Sequence, residues 1–177
     1  MGEISKILYG ILTGKDPLFI GKITKEKGDA VVEFSSKEFR GNVETDLLKP
    51  LLRGRNVRKW NVVWYKEYVL CPHYLNENFS PIPEKEMRKK FTNTYEFLKS
   101  NEEEIKNRLM YGKTAEQRTG VWYSLMYFDY AKYYNQPKIL TPALTDKNNF
   151  ALDTNNYFFV LGTAGVYGII PKEEINK

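Results

Sequence analysis

The sequence predicts an α+β fold, with mixed, mostly antiparallel strands flanking a central helical segment. Two patterns carry that expectation. From Pro83 to Leu109 the apolar residues Met87, Phe91, Tyr95 and Leu98 fall at steps of four, four and three, the period of a helix with one buried face. Before and after this stretch, short β-branched and aromatic runs lie between turn-forming residues. With 177 residues, 42% of them hydrophobic, the chain suits a single domain with a real core, and wholesale disorder is excluded.

Taken in order, "DPLFIGKIT" and "DAVVEF" read as two strands of a hairpin joined by the turn-prone "KEKGD". The chain is expected to turn again at Gly41-Asn42. "VETDLLKPLL" suits a short helix that Pro50 limits to a turn or two. "NVVWYKEYVL" carries apolar residues at Val62, Trp64, Tyr68 and Leu70, as a strand does. In the helical segment of about 83–110, Ser100 and Glu103 have capping-box spacing, which predicts a joint near Ser100-Asn101, with Ile105 and Leu109 resuming the stripe. Gly112 and Gly120 then break the chain. "VWYSLMYFDYAKYYNQPKIL" suits helix or strand in its Tyr-rich first half, and "PKILTPAL" is extended between two prolines. "NFALDTNNYFFVL" and "GVYGIIP" close the chain as strands, with Asn155-Asn156 as a turn.

Net charge is +5 and the pI about 9.1, a balance that favours nucleic acid or another anionic surface as partner. The single cysteine, Cys71, excludes an internal disulfide framework, and with the only histidine, His73, it cannot close a zinc site; a buried thiol and a satisfied imidazole are expected. No apolar run reaches the ~18 residues of a membrane span, and the N-terminus lacks the apolar core of a signal peptide. A cytoplasmic protein with no membrane partner is expected. No phosphate-cradling GxxxxGK[ST] loop, GxGxxG turn or GxSxG elbow is present. Glu104-Ile105-Lys106 matches the E-x-K half of one nuclease signature, set in a helix beside Glu102 and Glu103. The weight moves from catalysis to binding.

The densest feature is "KPLLRGRNVRKW", where Arg53, Arg55, Arg58 and Lys59 fall within seven positions. From Lys49 to Lys66 there are six Lys or Arg and no Asp or Glu. Such side chains neutralise phosphates, and the arginine fork also matches the O6 and N7 of guanine. A glycine at Gly54 allows a tight turn and a close approach to a nucleic-acid strand. The same residue content suits a solvated loop, and sequence alone does not divide base contacts from phosphate contacts.

The order of segments adds more. "ILTGKDPLFIGK", "DLLKPLLRGRNVRKW", "YEFLKSNEEEIKNR", "VWYSLMY" and "QPKILTPAL…NFALDTNNYFF" together resemble the C-terminal target recognition (TaqI-like specificity) domain of adenine-specific DNA methyltransferases and type IIG restriction–modification enzymes. The likeness runs from about residue 10 to residue 170. Asn56-Val57 stands where the family often has Asp-Ile, and Asn155-Asn156 where Asn-Gly or Asp-Gly is usual. The resemblance implies one DNA target recognition domain over 1–177, a fragment or stand-alone piece of a larger enzyme. That enzyme would carry a separate S-adenosylmethionine-dependent adenine-N6 methyltransferase domain with an Asn-Pro-Pro-Tyr motif, and in some cases a Mg-dependent nuclease domain. This chain would hold no cofactor and no catalytic site; its partners would be double-stranded DNA and those domains.

Carried over by position, the resemblance offers Arg53, Arg55, Asn56, Arg58 and Lys59 from the basic turn, Tyr123 beside Trp122, and Lys138 as DNA-facing residues. For Trp122 a core role competes with base contact, and for Lys138 a surface strand position competes with phosphate contact. Leu51, Leu52 and Trp60 are expected to anchor the turn in the core. Two other classes stay open: a small Mg-dependent nuclease using Glu104 and Lys106, and a protein-interaction domain whose exposed tyrosines form a docking surface.

Overall fold

The computed structural model describes residues 4–76, 78–128 and 133–172. The fold is α+β, with mostly antiparallel strands in open sheets. The chain forms two compact units, one from the described residues of Met1–Leu12, Pro50–Tyr65 and Phe128–Lys177, the other from Thr13–Lys49 and Lys66–Tyr127.

The first unit is built on a four-stranded antiparallel sheet in the order β1 (Ser5–Tyr9), β12 (Val166–Pro171), β9 (Lys138–Pro142), β10 (Ala151–Asp153). Period-two alternation sends Leu8, Gly168, Leu140 and Ala151 to the buried face. Ile7, Ile169, Ile139 and Leu152 form the opposite row across all four strands, and Leu152 is 64% exposed. The end of β5 (Leu48–Leu52) runs parallel to β11 (Phe158–Phe159), pairing Leu51 with Phe158 and Leu52 with Phe159, all four fully buried. A short hairpin, β6 (Val57–Arg58) and β7 (Asn61–Val62), completes the unit.

In the second unit, β2 (Ile20–Glu26), β3 (Val31–Ser35), β4 (Arg40–Glu44) and β8 (Tyr68–Leu70) form an antiparallel sheet in the order β8-β2-β3-β4. The helices are α1 (Asp16–Phe19), α2 (Glu84–Lys90), α3 (Thr92–Ser100), α4 (Glu102–Lys106) and α5 (Ala115–Thr119). Phe97 of α3 meets Phe34 of β3 edge-on, with ring centroids 6.3 Å apart. Gly41 makes this possible, since a Cβ there would lie 2.3 Å from the Phe97 ring. The expected turn at Gly41-Asn42 is therefore strand: the glycine clears space for a ring and does not bend the chain.

The β2–β3 hairpin turns at Gly28 (φ 108°), where the sequence places it. "DPLFIGKIT" is not all strand, because Pro17 starts a one-turn helix before β2. "VETDLLKPLL" is the end of β4, a 3-10 turn at Thr45–Leu47 and β5, not a helix. "NVVWYKEYVL" is two strands, since Val63 donates its N–H back to the Asn56 carbonyl and leaves the ladder.

The helical segment breaks at Phe91 and at Asn101. The joint at Asn101 matches the expected place, but its cap does not: the Ser100 hydroxyl donates to the Glu96 carbonyl. The first break lets Glu44 of β4 cap α3, its carboxylate accepting from the N–H groups of Asn93 and Thr94 at 3.0 and 2.8 Å. Leu109 leaves the stripe and is 65% exposed, whereas Met87, Tyr95, Leu98 and Ile105 are buried. Residues 121–128 form no helix or strand, and 129–132 of the Tyr-rich stretch lie outside the described residues. No helix of the described residues is long and apolar enough to cross a membrane.

Candidate functional site

The basic turn grows from a buried root. Leu51, Leu52 and Val57 are fully buried, and the Val160 N–H donates to the Leu52 carbonyl. Between them, Gly54–Asn56 make a single 3-10 turn. Gly54 donates its N–H to the Ala164 carbonyl at 2.8 Å, and a Cβ there would sit 2.9 Å from the Gly165 carbonyl oxygen. Its close approach is thus to the protein's own backbone.

Asn56 is the clasp. It is fully buried; its Oδ1 accepts from the Arg53 N–H at 2.6 Å and its Nδ2 donates to the Val63 carbonyl at 2.7 Å. A buried amide satisfied this way cannot reach a base edge, so the expected DNA contact by Asn56 is corrected to a positioning role. The side chains it positions lie on the outside. Arg55, Arg58 and Lys59 are exposed and Arg53 is half-buried. The Arg55 guanidinium lies 5.9 Å from the Tyr65 ring centroid.

Trp60 overturns its expected role as a core anchor. It is 78% exposed, with φ 64° in the two-residue turn between β6 and β7. Its N–H donates to the Phe150 carbonyl at 2.7 Å, which fixes the turn while the indole stays in solvent. Beside it lie two shallow clefts. One, about 440 Å³, is lined by Trp60, Ile139, Phe150, Ala151, Leu152 and Ile169. The other, about 420 Å³, is lined by Lys59, Asp146, Lys147, Asn148 and Asn149.

The remaining expected contacts point inward. Lys138 has no exposed side-chain surface; its ammonium pairs with Asp153 at 3.3 Å and donates to the carbonyls of Tyr134 and Gln136. Neither phosphate contact nor a surface position describes it. The cause is register: Lys138 shares a strand face with Leu140 and lies opposite Asp153, whose carboxylate also accepts from the N–H groups of Asn155 and Tyr157. Burial lowers the Lys138 pKa, and Asp153 opposes that shift.

Tyr123 is fully buried in the second unit, its hydroxyl donating to the Ile82 carbonyl at 2.7 Å and its ring edge-on to the buried Trp122. It is core, not surface. Arg108, at the end of the element quoted as "YEFLKSNEEEIKNR", is also buried. It donates to the carbonyls of Ile105, Thr13, Trp122 and Ser124 and lies 4.7 Å over the Phe19 ring. Burial lowers its pKa to about 10, so it stays charged at neutral pH and ties three segments together.

His73 and Cys71 sit in the same unit. His73 Nδ1 faces the Phe79 carbonyl at 3.0 Å and Nε2 accepts from the Leu125 N–H at 3.0 Å, an arrangement of the neutral ring. Burial pushes the Cys71 thiol up to about 12, away from the reactive thiolate. The E-x-K pair is not assembled, because Glu104 pairs with Lys15 while Lys106 pairs with Glu102. Among the described residues, no group of three or more His, Cys, Asp or Glu is arranged to hold a metal ion.

Neither the protein-family models nor the curated proteins compared with the chain give a match.

Proposed function

We propose that this chain is a sequence-specific recognition module for double-stranded DNA, the specificity part of a type II restriction–modification enzyme. It would hold a separate adenine-N6 methyltransferase domain, and a nuclease domain where one is present, on its target. S-adenosylmethionine and Mg²⁺ would belong to those domains.

One observation carries the reading. Arg55 is presented to solvent by the Gly54–Asn56 turn, and Arg58 and Lys59 by the hairpin that follows it, on a backbone that the buried Asn56 amide bonds within the protein. A backbone held before binding adds no ordering cost of its own when the surface docks, which favours a specific ligand over a diffuse counterion cloud. The order of segments from about residue 10 to residue 170 supports the same reading.

The test is fluorescence anisotropy with labelled duplexes over a range of salt. Binding should weaken as salt rises, because neutralised phosphates release counterions. Arg55→Ala and Arg58→Ala should each cost about 1–3 kcal/mol on a preferred duplex where the side chain reads a base. Where it touches phosphate, the loss is uniform across sequences and the salt slope shrinks by about one contact. Unaltered affinity of both variants for every duplex would sink the proposal.

A further inference from the structure

We infer that Trp60 is a base-stacking residue, taking a nucleobase that has left the helical stack of the DNA bound at the basic turn. The inference rests on the DNA-binding reading above and deepens it.

Three observations converge on this side chain. The indole is 78% exposed, although a buried indole removes far more apolar surface from water. Its backbone holds φ 64°, a conformation unfavourable for a bulky residue and retained only where the surroundings enforce it. The enforcing contact is the hydrogen bond from its N–H to the Phe150 carbonyl. The other two tryptophans differ: Trp64 is half-buried against Tyr157, and Trp122 is buried.

The surroundings name the ligand. Arg58 and Lys59 precede Trp60 and are exposed, and Lys147 lines the cleft beside Lys59, with Asp146 the one acid there. The indole itself lines the apolar cleft formed with Phe150, Ile139, Leu152, Ala151 and Ile169. An exposed aromatic ring that lines an apolar cleft and directly follows two exposed cations in the chain matches a nucleotide, whose base stacks while its phosphate meets the cations. The cleft wall is made of apolar side chains, so stacking here would not distinguish one base from another. Sequence reading stays with the arginines, and Trp60 holds the displaced base.

The experiment uses the full chain and two probes of the same mixed sequence, a fully paired duplex and one with a single bulged 2-aminopurine. Wild type should bind the bulged duplex on the order of tenfold more tightly. The emission of Trp60, taken as the difference between wild type and Trp60→Phe, should be quenched on binding. Trp60→Ala should bind both duplexes alike, at the affinity of wild type for the paired one, and Trp60→Phe should keep most of the preference.

An equal preference for the bulge in wild type and Trp60→Ala overturns the inference, while salt-dependent binding of the paired duplex leaves the DNA reading standing. Failure of wild type to bind either duplex overturns both. Loss of concentration-dependent self-association in Trp60→Ala, with duplex binding unchanged, would assign the indole to a protein contact and overturn the inference too.

Discussion

At the scale of single residues, polarity is a poor guide to position in this protein. Lys138 is a cation with no exposed side-chain surface, and Trp60 is the most apolar ring of its turn and stands in solvent. Lys138 survives inside because Asp153 and two carbonyls surround its ammonium. Removing one partner of such a pair leaves an uncompensated buried charge. Lys138→Ala is expected to lower stability by about 3–5 kcal/mol in urea denaturation. Part of this was legible: in "KILTP" the lysine shares a strand face with Leu140, and period two alone puts it with the core. The identity of its counter-ion was not, because Asp153 becomes its neighbour only through strand pairing. Nor was the fate of Trp60, whose exposure follows from a positive φ in a two-residue turn and not from its hydrophobicity.

At the scale of elements, glycine and hydrogen-bond supply decide the boundaries. Gly41 lies inside β4 because a neighbouring ring needs the space a side chain would take. Gly41→Ala is expected to destabilise the protein by about 1–3 kcal/mol in chemical denaturation through overpacking against Phe97. The double variant Gly41→Ala, Phe97→Leu should regain part of that loss. A single Gly41→Ala change with wild-type stability would show that the ring moves aside at no cost. The helical segment was legible as a periodic stripe through Met87, Tyr95, Leu98 and Ile105. Its first break was not, because the Glu44 carboxylate that caps α3 comes from a strand some fifty positions earlier. The basic turn shows the same division. Its charge was plain in the sequence, as was the Asn56 that clasps Arg53 to Val63 within eleven positions, whereas the Gly54 contact with residues 164 and 165 depends on a segment far along the chain.

For the whole molecule, the chain enters each compact unit more than once, so neither unit corresponds to a continuous stretch of sequence. Stability of such a fold is linked to the buried groups that its segments share. His73 is one, and burial lowers its pKa from 6.5 to about 4. The unfolded chain takes up a proton below pH 6.5, while the folded chain resists doing so until about pH 4. Stability should therefore be full above pH 6.5 and fall as the pH drops from 6.5 to 4, by about 3 kcal/mol from this group. Urea midpoints measured across that range check it. A His73→Gln variant should show a shallower fall between the same limits, and an identical fall in both proteins would place the titration elsewhere.

By itself the sequence determined the local periods, the α+β class and the concentration of positive charge between Lys49 and Lys66. Those properties belong to neighbours along the chain, and short-range sterics and side-chain chemistry suffice to write them. Only the tertiary structure decided what surrounds each cation, Asp153 for Lys138 and solvent for Arg55, Arg58 and Lys59, and that an indole stands beside the exposed ones. Burial is set by strand register and by contacts between distant segments, and no local pattern contains those.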